Sequence, residues 1–95
     1  MKIHITAVIK AKTEYREQVK AVLLNMVSET KKEPACLQYD LHQDISDLNT
    51  FVFYEIWNDK QGLDSHNQQP YIKEFGTLID VKLQEQPIIL LTQKI

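Results

Sequence analysis

The chain is poor in the residues that build several kinds of site. It has one cysteine, Cys36, so no internal disulfide can form and no metal site can be assembled from thiolates. Its three histidines, His4, His42 and His66, are scattered and share no metal-ligand spacing. There is no block of positive charge. Lys31-Lys32 is the one basic pair, and the formal net charge is −2. A row of phosphates would find nothing to neutralise it, which argues against nucleic acid as a partner. No apolar run approaches the length of a membrane span, and residues near Met1 form no apolar leader-like stretch. A reducing, cytoplasmic setting is therefore the expectation. Internal repeats, linkers and low-complexity segments are also missing.

What is present fits one soluble globular domain over residues 1–95. Hydrophobic residues make up 43% of the 95 and charged residues 25%. Lys2 to Lys10 alternates, with Ile3, Ile5, Ala7 and Ile9 on one face and His4, Thr6 and Val8 on the other, the period of a half-buried strand. Thr13 is positioned to cap a helix. Tyr15, Val19, Val22, Leu23, Met26, Val27 and Thr30 recur at helical spacing, which predicts a helix over roughly 14–32. Glu33 precedes Pro34, which disfavours helical backbone and ends it.

Ala35 to Gln43 alternates again, with Leu37, Tyr39 and Leu41 opposite Cys36, Gln38, Asp40 and His42. A polar turn over 44–49 leads to a third strand, Thr50 to Trp57, and the pair reads as an antiparallel hairpin. Asp59 is the expected cap of a short helix through about Asn67. Pro70 restarts helix at a tolerated first position, with Ile72, Phe75, Leu78 and Ile79 as its apolar face. After Pro87, the run Ile88-Ile89-Leu90-Leu91 is apolar on both faces, which predicts a buried final strand. The order β-α-β-β-α-β is the α+β, ferredoxin-like pattern of an antiparallel sheet with helices on one face. The other sheet face keeps apolar and aromatic residues, so a homodimer packed sheet to sheet is expected. A helical or domain partner is the alternative occupant.

The stretch from Thr50 to Phe75 concentrates the chemistry. A strand delivers Glu55 and Trp57, and a capped helix then brings round His66. His66 is the candidate base, because imidazole titrates near neutrality and can take a proton from a weakly acidic substrate. Its structural alternative is a helix-face histidine bonded to the third strand. Glu55 shares a strand face with Phe51, Phe53 and Trp57, where a carboxylate is costly unless paired. It would orient the imidazole or act as a base with a raised pKa; structurally it would satisfy a backbone amide or a dimer contact. Trp57, Phe53, Phe75 and Tyr71 would wall a slot for a flat ring or simply fill the core. The Tyr39 hydroxyl needs a partner if buried, either a ligand carbonyl or a neighbouring strand. His4, His42 and Asn25 are expected at the surface; an inward His42 would be a second candidate base and an inward Asn25 a ligand donor, and Cys36 reads as an inert thiol.

Glu33-Pro34-Ala35-Cys36-Leu37-Gln38-Tyr39-Asp40 resembles the E-P-G-C-x-x-Y segment of the antibiotic biosynthesis monooxygenase family. Phe53-Tyr54-Glu55-Ile56-Trp57 resembles that family's E-x-W strand. Leu63, His66, Pro70, Tyr71 and Phe75 resemble its L-x-x-H, P-x-[FHY] and F helix positions. The likeness runs over nearly the whole chain in the right order. It implies a dimeric α+β barrel whose characterised members oxidise anthrones and quinols with molecular oxygen, using no metal or flavin. The expectation is therefore a cofactor-independent monooxygenase of a small quinol or related aromatic. Fold relatives also degrade haem or isomerise small phosphorylated sugars, so an isomerase of a small polar metabolite stays open. So does a non-catalytic dimeric binding or stress module. Ala35 stands where the family usually has Gly, and Tyr71 where a second His is common. The haem-degrading branch has Trp where His66 falls and a ligand His where this chain has Gly76, which argues against that activity here.

Overall fold

A computed structural model describes residues 1–95. Strand β1 (Ile3–Lys10) is followed by a 3₁₀ turn (Thr13–Tyr15) and helix α1 (Arg16–Thr30). Strands β2 (Cys36–Gln43) and β3 (Thr50–Trp57), helices α2 (Lys60–Asn67) and α3 (Pro70–Lys82), and strand β4 (Ile88–Thr92) complete the chain. The strands form one antiparallel sheet in the order β2-β3-β1-β4, the ferredoxin-like arrangement anticipated from the periodicities.

The register decides which side chains meet. Ile5 pairs with Glu55 on one side and Leu91 on the other, and Tyr39 lies across from Glu55. Ala7 pairs with Phe53 and Ile89. Because side chains alternate along a strand, Tyr39, Glu55, Ile5 and Leu91 form one row on the helix-covered face. The core lies between this face and the helices: Ile5, Ala7, Ile9, Phe51, Phe53 and Trp57 from the sheet meet Val19, Leu23, Met26, Leu63 and Phe75. The opposite face carries Val8, Val52, Tyr54, Ile56, Ile88 and Leu90, none of them fully buried. On this face His4 Nδ1 lies 3.1 Å from the Tyr54 hydroxyl.

Four sequence expectations change. Thr13 caps nothing: its hydroxyl accepts from Asn49 Nδ2 at 2.8 Å, and the first turn after Lys12 is 3₁₀, with the α-helix starting at Arg16. The helix ends at Thr30 rather than Lys32, because Glu33 and Lys32 already turn toward β2 through bonds to Thr30 and Glu29 carbonyls. Leu37 does not join Tyr39 on the inner face. A bulge between Cys36 and Gln38 shifts the register, so Leu37 is 49% exposed. Strand β4 is not buried: it pairs only with β1 at the sheet edge, and Ile88 to Leu91 are 48–59% exposed. No helix is long and apolar enough to cross a membrane.

Candidate active site

The Asp59 side chain accepts the Gly62 amide at 2.7 Å and starts α2 as expected. Two turns on, α2 turns Leu63 and His66 inward. His66 is only 4% exposed, with its ring against the Trp57 indole at a centroid distance of 4.4 Å. Tyr39 approaches the same imidazole edge-on, at 5.6 Å.

The carboxylate that holds the imidazole is Glu33, not Glu55. His66 Nδ1 and Glu33 Oε2 are 2.8 Å apart, and the Tyr71 hydroxyl donates a short hydrogen bond to the same oxygen. Oε2, already accepting from Tyr71, is the atom that Nδ1 meets, and which ring nitrogen carries the proton depends on the tautomer. Nε2 has no protein partner, and it is not sealed from solvent, since Thr30 Oγ1 is the one buried side-chain atom of that kind. Burial pushes the His66 pKa below the ordinary histidine range, opposed by the Glu33 hydrogen bond and charge.

Glu55 projects inward from β3, two residues before its end, and is 6% exposed. Its Oε1 accepts from Trp57 Nε1 at 2.8 Å. Burial pushes its pKa up to about 7, against the lowering effect of the Trp57 bond and with a smaller push from the Glu33 charge. Burial also raises the Tyr39 phenol, with the Glu55 charge adding to it. Tyr71 is raised as well, by burial first and then by its bond to Glu33. Both phenols are therefore neutral donors at physiological pH. Cys36 is half-buried and its thiol is pushed up to about 11, mainly by burial, which leaves it protonated and unreactive.

A half-open cavity of about 280 Å³ lies between the sheet and α2–α3. Glu55 and His66 face into it among apolar walls that include Tyr39, Phe53, Leu63 and Phe75. Ile89, Leu91 and Pro87 also line it, from the exposed β4 side. Asn67 is its third polar group, and no Lys or Arg reaches it.

The structure thus brings His66, Glu55, Tyr39, Phe53 and Phe75 to one cavity. Two expected wall residues lie elsewhere: Trp57 is fully buried behind the imidazole, and Tyr71 is occupied with Glu33. Glu33 was legible in sequence only as the residue that ends α1, although it opens the first motif of the family resemblance. His42 and Asn25 are exposed and take no part. No three of the His, Cys, Asp and Glu side chains gather into a metal-binding group.

Known proteins share both the sequence and this architecture. YcnE of Bacillus subtilis, named "Putative monooxygenase YcnE", is 33% identical over 73 residues, 77% of each chain. The uncharacterised Synechocystis sp. protein sll1783 is 34% identical over 67 residues, which is 70% of this chain and 46% of that longer protein. A crystal structure of an antibiotic biosynthesis monooxygenase superposes with a TM-score of 0.91 at 29% identity, covering 98% of both chains. PA3566 from Pseudomonas aeruginosa gives 0.93 at 29% identity, over 99% of this chain and 94% of its own. The family model described as "Antibiotic biosynthesis monooxygenase" matches residues 2–77, the span that carries the His66 and Glu55 site, and the chain belongs to that monooxygenase family.

Proposed function

We propose that this protein is a cofactor-independent monooxygenase that oxygenates a small quinol or related aromatic, with His66 as the base. The observation that carries the reading is the environment of Nε2. It is an unpartnered ring nitrogen of an imidazole kept neutral by burial, at the wall of an apolar cavity of about 280 Å³. Pockets for drug-sized ligands run from about 300 Å³ upward, so this cavity suits a compact, flat ring system. A phosphorylated metabolite would meet a carboxylate and no cation there, which counts against the isomerase alternative.

In the proposed reaction His66 Nε2 takes a phenolic or anthrone proton. The resulting anion passes an electron to molecular oxygen, and the two radicals recombine into a carbon–oxygen bond. Loss of water then leaves a new carbonyl: one oxygen atom enters the product, the other leaves as water, and the substrate supplies the electrons. Glu55, titrating near neutrality on the opposite wall, exchanges the second proton. Tyr39, Phe53 and Phe75 stack against the ring. The site residues themselves supply acid–base groups and an apolar enclosure.

The proposed assembly is a homodimer in which the sheet faces bearing Val52, Val8 and Ile88, with Tyr54 and Leu90, cover one another. Such a contact would cover Ile88 and Leu90, which are exposed in a single chain, while Ile89 and Leu91 face the cavity side. Residues 1–95 are read as one such domain, acting in the cytoplasm.

Oxygen uptake tests the reading. Purified protein is assayed with naphthohydroquinones and anthrones, with and without a metal chelator, beside His66→Ala. Uptake that resists the chelator and falls at least about a hundredfold in the variant is expected. No uptake above autoxidation across the panel would overturn the proposal.

A further inference from the structure

We infer that Glu33 is the positioning residue of this site, holding His66 as the Nδ1–H tautomer so that the Nε2 lone pair stays directed away from Glu33 and available to a ligand. For its catalytic consequence the inference rests on His66 being the base; for the tautomer it does not.

A neutral imidazole has one donor nitrogen and one acceptor nitrogen, and which is which depends on the partner of each. Glu33 Oε2 is fixed as an acceptor by the Tyr71 hydroxyl on the same oxygen. The other tautomer would set the Nδ1 lone pair against that oxygen and lose the 2.8 Å bond. Glu33 is itself anchored: its amide donates to the Thr30 carbonyl at 2.9 Å, and its own carbonyl accepts from the Cys36 amide at 3.1 Å. The link from the end of α1, helix α2 and the start of α3 therefore converge on one carboxylate. Glu33 does not line the cavity, so it acts through His66 rather than on a ligand.

The arrangement also prepares for the protonated state. When Nε2 gains a proton, the imidazolium faces the Glu33 carboxylate on one side and the Trp57 ring, 4.4 Å away, on another. The other titratable groups around His66 are Glu55 on β3, Tyr39 on β2 and Tyr71 on α3, and both phenols are neutral donors. Glu33 is thus the one carboxylate bonded directly to the ring.

Nitrogen-15 NMR of histidine-labelled protein at pH 8 tests this, with His66 assigned by its absence in His66→Ala. The expected wild-type spectrum has a pyrrole-type Nδ1 and a pyridine-type Nε2. Glu33→Met, which removes the acceptor at similar length, should raise the Nε2–H fraction and lower kcat at least about tenfold with little change in KM. Glu33→Gln keeps an acceptor oxygen without the charge, so it should keep the tautomer while shifting the His66 titration to lower pH. It also carries the test if the Met variant fails to fold. A wild-type Nε2–H tautomer, or a His66 titration unmoved in Glu33→Gln, overturns the inference. An Nδ1–H wild type with no oxygen uptake upholds the role of Glu33 and removes the oxygenase reading alone.

Discussion

Helix α2 passes so close to the segment before β2 that Gly62 lies directly against Ala35: a β-carbon at position 62 would overlap the Ala35 methyl. Position 35 needs no glycine for its backbone, since no residue of the chain has positive φ. The requirement for a missing side chain has instead fallen on position 62. Gly62→Ala should push α2 outward and destabilise the fold by about 1–3 kcal/mol through overpacking. Ala35→Gly in the same chain should recover most of that loss. Urea unfolding of the two single variants and the double variant gives the coupling directly, and additive effects would show that the two positions do not touch.

The pH dependence of stability should carry the signature of Glu55. Its folded pKa, about 7, lies above the ordinary carboxylate value near 4.3, so the folded state holds the proton more tightly. The stabilisation is complete below the unfolded pKa and is lost as pH rises from there through about 7. His66 acts in the opposite sense, because its folded pKa is lowered and acid favours the unfolded chain. The comparison with Glu55→Gln isolates the carboxylate. That variant should gain stability relative to wild type between pH 5 and pH 8, by on the order of 1–3 kcal/mol. A constant difference across that range would show that Glu55 titrates normally.

Turnover by the proposed oxygenase should rise with pH as His66 loses its proton. Because burial depresses that pKa, the midpoint of the acid limb is expected below the ordinary histidine value of about 6.5. An acid limb centred above pH 7 would assign it to another group, with Glu55 the first candidate.

Assembly can be tested at the sheet face away from the helices. Leu90 is 54% exposed and pairs in register with Thr6, beside Tyr54. Leu90→Glu places a charge where the proposed second sheet packs. Analytical ultracentrifugation should find a dimer for wild type and a monomer of lower thermal stability for the variant. A wild-type monomer at micromolar concentration would remove the proposed interface.

Local pattern carried most of the architecture. Alternation in Ile3–Lys10 and Thr50–Trp57, the Asp59 cap and the Pro70 restart follow from steric and hydrogen-bonding preferences that act within a few residues. They also placed Glu55 and Phe53 on one face of their strand. The residue before Pro34 was legible as a helix end. Its second task, as the partner of a histidine 33 positions away, was not.

What the amino-acid sequence by itself determined is the order of elements and the inward faces, because the strand and helix periods are properties of the backbone. Only the tertiary structure decided which carboxylate meets the imidazole. The docking of α2 against Ala35 brings His66 to Glu33, while the Trp57 indole occupies Glu55. It also decided that Leu37 is turned out by a bulge, that Tyr71 serves Glu33 rather than the cavity wall, and that β4 is left at an edge. Each of these outcomes depends on register and packing between segments distant in the chain, and neither is encoded in the spacing of any one segment.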